Sequence, residues 1–253
     1  MNTGRVYKIE TMGLLDGPGI RSVFFLEGCP LRCSYCHNPE SQTCRVGTPV
    51  YSPDEVVRIS KKYLPYYKRT GGGVTFSGGE PLLQGEFLIE TLKTLKKQGI
   101  HTAIDTSGIG NDRYHDEVLR NVDLVILDVK AFSESKHRAL TGVSLSGLEA
   151  FIAKLTKFKG QIWIRHVMLP GATDSTEAMD QLLEIISPLT KLIEKIEILP
   201  YHKLGDDKYS QLEIENTLLD MSEMDKKIAK GYEIYAMCAL LNKRKQCLLT
   251  EAV

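Results

Sequence analysis

Arg21-Ser22-Val23-Phe24-Phe25-Leu26-Glu27-Gly28-Cys29-Pro30-Leu31-Arg32-Cys33-Ser34-Tyr35-Cys36-His37 is the stretch that decides the fold. Residues 21–26 are mostly apolar and rich in Val and Phe, the pattern of a parallel strand covered on both faces. The run stops at Glu27-Gly28, and three cysteines follow in the spacing C-x3-C-x2-C. A chemically loaded loop at the carboxyl end of a buried strand points to an α/β protein whose site lies at one end of its sheet.

Five more runs of the same kind follow: Val74–Ser77, Thr102–Thr106, Leu124–Val129, Ile162–Met168 and Lys195–Leu199. Helical patterns separate them. Ser52-Pro53-Asp54-Glu55 offers an N-cap, a proline at the first helical position and a capping-box Glu, and Pro65 should kink or end that helix. Phe87, Leu88, Thr91, Leu92 and Leu95 form one stripe, closed by Lys96, Lys97 and Gly99. Asp174 with Glu177 opens a helix whose Met179, Leu182, Leu183 and Ile186 share a face. Repeated β-then-α units imply a parallel sheet with right-handed crossovers.

About six units appear where a closed TIM barrel needs eight. The expected fold is therefore a partial, laterally open (β/α)6 TIM-like barrel, with an open doubly wound sheet as the alternative. The polar motifs favour the barrel, because each falls just after a strand: Gly78-Gly79-Glu80, Asp105-Thr106-Ser107-Gly108, Asp128 with Lys130, and Tyr201-His202. Arg165 and His166 lie on the fifth strand. Residues 1–253 are read as one domain, with a core over about 15–205 and a helical or strand extension over about 206–253.

Composition limits the function. The 253 residues carry 32 Lys+Arg against 32 Asp+Glu, so no basic face is implied and neither nucleic acid nor an anionic membrane is an expected partner. Apolar runs such as Val122–Val129 are too short to span a bilayer, and Met1–Arg5 lacks the apolar core of a signal peptide. The expected location is the cytoplasm. The six cysteines agree with it, since three are crowded together while Cys44, Cys238 and Cys247 are scattered. Those three read as inert thiols.

Three thiolates within eight residues can wrap one soft metal centre. The triplet alone leaves three readings open: an iron–sulfur cluster, a zinc site with His37 as fourth ligand, or uncoordinated thiols. A 4Fe–4S cluster held by only three cysteines keeps one iron free for a substrate.

The placement of the triplet resembles the radical S-adenosylmethionine (radical SAM) superfamily. Asp16-Gly17-Pro18-Gly19-Ile20-Arg21, Gly28-Cys29 and Tyr35-Cys36-His37-Asn38-Pro39 resemble the signature of its glycyl-radical-enzyme activases. So do Gly71-Gly72-Gly73-Val74-Thr75, Ser77-Gly78-Gly79-Glu80-Pro81, Asp105-Thr106, Leu127-Asp128-Val129-Lys130, Trp163-Ile164-Arg165 and Leu199-Pro200-Tyr201-His202. The likeness covers most of residues 5–205. Ser107 stands where relatives often carry Asn, and Lys243–Val253 has no counterpart. Cys44 alone lies between Cys36 and the second strand, so the cysteine-rich insertion of some activases is missing.

The resemblance implies a 4Fe–4S cluster on Cys29, Cys33 and Cys36, whose open iron chelates S-adenosylmethionine. Reductive cleavage would then yield methionine and a 5′-deoxyadenosyl radical that takes a hydrogen from a backbone glycine of a partner. The implied partner is a glycyl radical enzyme, pyruvate formate-lyase, and the implied reductant is a low-potential donor such as flavodoxin or ferredoxin. Tyr35 beside the cluster would wall the adenine, Cys36 and His37 are further expected cofactor contacts, Gly78, Gly79 and Glu80 would receive the methionyl amino group, and Lys130 would balance the carboxylate. Thr106, Asp128, Val129, Arg165 and His202 complete the expected cofactor contacts, and Asp16 is expected at the partner.

Each has a plainer reading: turn, salt bridge, loop histidine or filler aromatic. His101, His115, His137 and His166 are read as structural. Counting charges adds one expectation. Asp105, Asp128 and the cofactor carboxylate crowd together against Lys130 alone, so a monovalent cation on oxygens of Asp105, Thr106 and Asp128 would relieve them. Other readings of the chain are an activase of a different glycyl radical enzyme, a radical SAM enzyme for a small molecule, and a zinc-stabilised α/β binding module.

Overall fold

The structure, a computed structural model, describes residues 2–251 and the side chains as far as residue 246; Cys247 and residues 252–253 lie outside the described part. In chain order the elements are β1 (Gly4–Gly13), β2 (Arg21–Leu26), β3 (Val50–Tyr51), α1 (Pro53–Lys61), α2 (Leu64–Thr70) and β4 (Gly73–Gly78). Then come α3 (Gly85–Lys97), β5 (His101–Thr106), α4 (His115–Asn121), β6 (Leu124–Asp128), α5 (Glu134–Thr141), α6 (Ser146–Leu155) and β7 (Gln161–Met168). The chain ends with α7 (Thr176–Ile185), β8 (Ile193–Pro200), α8 (Asp206–Gln211) and α9 (Lys226–Glu251). None of the described helices is long and apolar enough to cross a membrane.

One sheet runs β3-β1-β2-β4-β5-β6-β7-β8. The six strands from β2 onward are parallel and stand in sequence order. A doubly wound sheet would reverse that order at a switch point, and this one does not. The sheet ends at β8 instead of pairing back to β2, so the barrel is partial and open, as expected. Val23, Phe24, Val74, Phe76, Ile104, Leu124 to Leu127, Ile162 and Ile164 are all fully buried.

Two strands escaped the sequence reading. β1 pairs antiparallel with β2, and the two-residue β3 pairs with β1. Its sequence Gly4-Arg5-Val6-Tyr7-Lys8-Ile9-Glu10 buries little beyond Val6, so no continuous apolar run marks it. Helix ends follow the sequence more closely. Ser52 and Glu55 form the capping box, and the chain breaks between α1 and α2 just before Pro65. The cap of α7 is Ser175, whose hydroxyl accepts from Ala178 N, and not Asp174. Residues 206–251 contain two helices and no strand.

α9 explains how the open edge is protected. An edge strand leaves alternate N–H groups without sheet partners. On β8, Ile198 N donates to Glu233 Oε2 (3.1 Å) and Ile196 N to Met237 Sδ (3.3 Å). Glu233 and Met237 are one helical turn apart, which matches the spacing of two residues along a strand. Ala229, Ala236 and Leu240 of α9 are buried against the barrel. Glu233→Ala should leave the Ile198 N–H without its acceptor and cost about 1–2 kcal/mol in urea unfolding. Glu233→Gln, which keeps an acceptor oxygen, should lose less than half of that.

Candidate functional site

The loop after β2 carries Cys29, Cys33 and Cys36, all free thiols, and all three line one cavity of about 180 Å³. The same cavity touches Tyr35, His37, Gly78, Gly79, Glu80, Asp105, Thr106, Asp128 and Lys130. Parallel strands of matched register bring their carboxyl ends to one level, which gathers motifs separated by a hundred residues.

The cysteine loop is held from several sides. Cys36 N donates to Cys33 O (3.0 Å), while Arg32 N and Ser34 N donate to Thr141 O (2.8 Å) and Leu140 O (2.9 Å) at the end of α5. Gly28 N reaches Ser41 O (2.7 Å), and Gly79 N and Glu80 N reach Leu26 O and Gly28 O, both at 2.7 Å. This contact explains the glycine pair. A Cβ on Gly78, which has φ +108°, would stand 2.4 Å from Leu26 N, and one on Gly79 would stand 2.2 Å from Gly28 O. The glycines therefore make room for the loop's own backbone, where the sequence suggested room for a ligand.

Glu80 is fully enclosed. Its Oε1 accepts from Leu82 N (3.0 Å) and Thr106 Oγ1 (2.6 Å), and its Oε2 from Ser107 N (2.8 Å) and Ser107 Oγ (2.6 Å). Burial raises its pKa against the pull of those donors. Through these four donors Glu80 braces the exit of β5. Ser107 thus has a defined task.

Charge balance differs from the expectation that Lys130 is the only local cation. Lys130 does pair with Asp128. Arg165 supplies a second positive charge: NH1 donates to Asp105 Oδ2 (2.7 Å), Nε and NH2 to Glu197 Oε2 (3.2 and 3.0 Å), and NH2 to Leu15 O (2.7 Å). Asp16 Oδ1 is 3.8 Å from the same NH1. These bonds make Arg165 a tether between β7, β5, β8 and residue 15. The Val129 N–H donates to Arg165 O (2.8 Å), and its carbonyl accepts from His166 Nδ1 (2.7 Å). Burial, with Asp128 and Asp16 nearby, pushes Asp105 up to about 6 despite Arg165. Asp128 keeps one buried oxygen, Oδ1, without any partner.

The remaining residues divide. The Lys130 ammonium lies 5.7 Å from the centroid of the Tyr35 ring. His202 is exposed and meets His37 edge-on at 4.8 Å, behind the wall formed by Tyr35, Cys36 and His37. Sequence reasoning missed Ser77, whose hydroxyl faces Asp105 (3.4 Å), and Lys208 with Tyr209, which bind the cysteine loop from α8. No local pattern marks a contact made across 170 residues.

Burial pushes Cys29 and Cys33 up to about 12 and Cys36 up as well, so these thiols need a metal centre to become thiolates. Among the described residues no three His, Cys, Asp or Glu side chains are placed to share a single ion. Three free thiols spread round one cavity suit a body larger than one ion, and a cluster is such a body.

Comparison with known proteins follows the geometry. The radical SAM superfamily model matches residues 23–183, more than half of the chain. Pyruvate formate-lyase-activating enzyme from Clostridium pasteurianum is 46% identical over 235 residues, covering 93% of this chain and 98% of that protein. The protein of the same name from Staphylococcus epidermidis is 43% identical, covering 91% and 94%. Among solved structures, a domain of pyruvate-formate lyase-activating enzyme from Bacteroides vulgatus aligns with TM-score 0.53 and 28% identity over 67% of this chain and 94% of that one. A radical SAM methyltransferase from Sphaerobacter thermophilus shares the fold, with TM-score 0.60 and 13% identity over 94% and 75%.

His166 yields a pH test. It is fully buried, Nδ1 donates to Val129 O, Nε2 has no partner, and burial pushes its pKa down to about 4. A depressed histidine stabilises the fold above its unfolded pKa of about 6.5, and that stability is lost as pH falls toward 4. Urea unfolding of the wild type should therefore lose about 2 kcal/mol more between pH 7 and pH 5 than His166→Gln does.

Proposed function

The chain belongs to the radical SAM superfamily and, within it, to the pyruvate formate-lyase-activating enzymes, and from that premise we propose how its residues serve the activation of a glycyl radical enzyme, pyruvate formate-lyase. Cys29, Cys33 and Cys36 would hold the 4Fe–4S cluster. When bound, the cluster and S-adenosylmethionine supply a one-electron reductive cleavage and the hydrogen-abstracting adenosyl group. The single observation that carries the reading is the set of three free thiols facing Asp105, Asp128 and Lys130 across one cavity.

The chain's own residues bind, orient and exclude. Lys130, enclosed and held positive by Asp128, stands where a substrate carboxylate needs a counter-charge. Tyr35 offers a flat apolar wall, and His37 with His202 offers a second face for a base. Glu80 acts through the Thr106–Ser107 turn that it braces. Asp16 is held by its own carbonyl, which accepts from Thr75 Oγ1 (2.7 Å), and its carboxylate has no closer cation than Arg165. With only this one long ion pair among the described residues, the carboxylate would accept a main-chain N–H from a partner's glycine loop. A low-potential carrier such as flavodoxin or ferredoxin would deliver the electron in the cytoplasm.

A monovalent cation remains part of this reading, supported by the unpartnered Asp128 Oδ1. The Thr106 hydroxyl already serves Glu80, so Thr106 would contribute its carbonyl, alongside Asp105 and Asp128 carboxylates.

Three experiments test these assignments. Electron paramagnetic resonance on reduced protein, S-adenosylmethionine and pyruvate formate-lyase should show a glycyl doublet. Alanine at Cys29, Cys33 or Cys36 should abolish both bound iron and cofactor cleavage, whereas alanine at Cys44 or Cys238 should change neither. Cleavage by Cys33→Ala at the wild-type rate would refute the cluster assignment. For the cation, S-adenosylmethionine affinity should change with cation identity at fixed ionic strength, and that dependence should vanish in Asp105→Asn. An affinity indifferent to the cation would remove the site.

A further inference from the structure

One set of contacts joins the far end of the chain to the cysteine loop. Lys208, in α8, donates to His37 O (2.8 Å), Asn38 Oδ1 (3.0 Å) and Glu40 Oε1 (2.8 Å). An ammonium has three N–H donors, and all three are spent on one turn. Tyr209, buried beside it, donates its hydroxyl to Cys36 O (3.0 Å). Gly205 lets the incoming chain lie flat on the loop, where a Cβ would stand 3.3 Å from His37 Cα and 3.5 Å from Cys36 O. The segment is anchored in turn: Asn216 Nδ2 donates to Asp206 Oδ1 (3.0 Å), Lys203 N to Glu223 Oε1 (2.9 Å) and Met224 N to Tyr201 O (2.9 Å).

These contacts fall on residues 36–40, whose other hydrogen bonds stay within the loop. The Cys29 side is bonded to the exits of β2 and β4, and the Cys33 side to the end of α5. Beyond Cys36 the turn closes on itself through Ser41 N to Asn38 O (2.9 Å) and Gln42 N to Pro39 O (3.2 Å), and only its far end returns to the exit of β2, where Ser41 O and Gln42 O accept from Gly28 N (2.7 Å) and Cys29 N (3.2 Å). Glu40 adds a liability, since its Oε2 is buried without a partner and its Oε1 depends on Lys208. Without the ammonium, a half-buried carboxylate would stand uncompensated, and the turn would have to move to rehydrate it.

We infer that residues 201–211 form a clasp in which Lys208 and Tyr209 are positioning residues, holding the Cys36–Glu40 turn and with it the third cysteine in register with the other two. The functional part of this inference rests on the cluster reading above. Groups that orient ligand-bearing segments commonly govern metal retention without touching the metal.

The test uses the full-length protein, anaerobically reconstituted, as wild type, Lys208→Met and Tyr209→Phe. Three quantities are read: amide hydrogen exchange of residues 33–42 against the sheet strands, iron loss to a chelator, and the paramagnetic spectrum of the reduced protein with S-adenosylmethionine. In Lys208→Met, exchange at Cys36, Ser41 and Gln42 and the rate of iron loss should each rise about tenfold, with the strands unchanged and the spectrum altered. Tyr209→Phe, which keeps the ring, should shift all three in the same direction by a smaller factor. Wild-type exchange, iron retention and spectrum in both variants would overturn the clasp, as would a Lys208→Met loss of protection spread evenly over the strands while Tyr209→Phe behaves as wild type. The exchange comparison decides the clasp whatever metal the wild type takes up, while an iron and sulfide content far from four each would count against the cluster reading alone.

Discussion

The Arg165 guanidinium is the interaction on which the inside of this barrel depends. A closed barrel is held by an unbroken ring of strand pairing, but here the sheet stops at β8. Arg165 reaches Asp105 two strands away on β5, Glu197 on the adjacent β8 and the Leu15 carbonyl of the segment before β2, so it cross-links the ladder and ties to it a segment that strand pairing does not hold. Buried charge is costly, and it persists where several partners share the compensation. The register explains why one residue suffices, since Asp128, Arg165 and Glu197 stand side by side on β6, β7 and β8.

Below this hub, residues 14–20 form a floor. The Asp16 carbonyl accepts from Thr75, and Arg21, fully buried and without a carboxylate at bonding distance, donates to Thr75 Oγ1, Val74 O and Pro18 O. Burial lowers the Arg21 pKa to about 10, a sign of how much that position asks of a cation. Gly19, at φ +66°, could carry no side chain, because a Cβ would stand 2.5 Å from Thr70 O. Above the hub lies the cysteine loop, bonded to β2, β4, α5 and α8. The cavity between the cysteine loop and the carboxyl ends of β4, β5 and β6 is thus bounded by groups that the protein's own bonds hold in place, the usual requirement for oriented chemistry.

Much of this was legible in the residues. The six parallel strands coincide with the six apolar runs, to within two residues at each end, because strands buried on both faces cannot hide their composition. The Ser52–Glu55 capping box and the break before Pro65 were equally plain, being local, while the cap of α7 fell one residue beyond Asp174. β1 and β3 were not, since an outer strand with one wet face and a two-residue bridge leave little apolar signal. The strand-end motifs were found because the spacing between cysteines, and between a strand and its exit residues, is a property of the chain.

Which partner each motif residue takes is a different kind of fact. Arg165 in an apolar strand announced a buried charge, yet nothing local distinguished a ligand contact from its tie to Asp105, Glu197 and Leu15. Gly78 and Gly79 announced a close approach, and folding settled that the approaching group is the backbone of Leu26 and Gly28. Lys208 and Tyr209 carried no signal at all. Periodicity and spacing are written in residues near one another, so the six parallel strands, most helices and the cysteine triplet after β2 can be read from the chain unaided. Pairings across 60 to 170 residues, such as Arg165 with Asp105 and Lys208 with Asn38, exist only once the sheet has brought distant segments to the same end of the barrel.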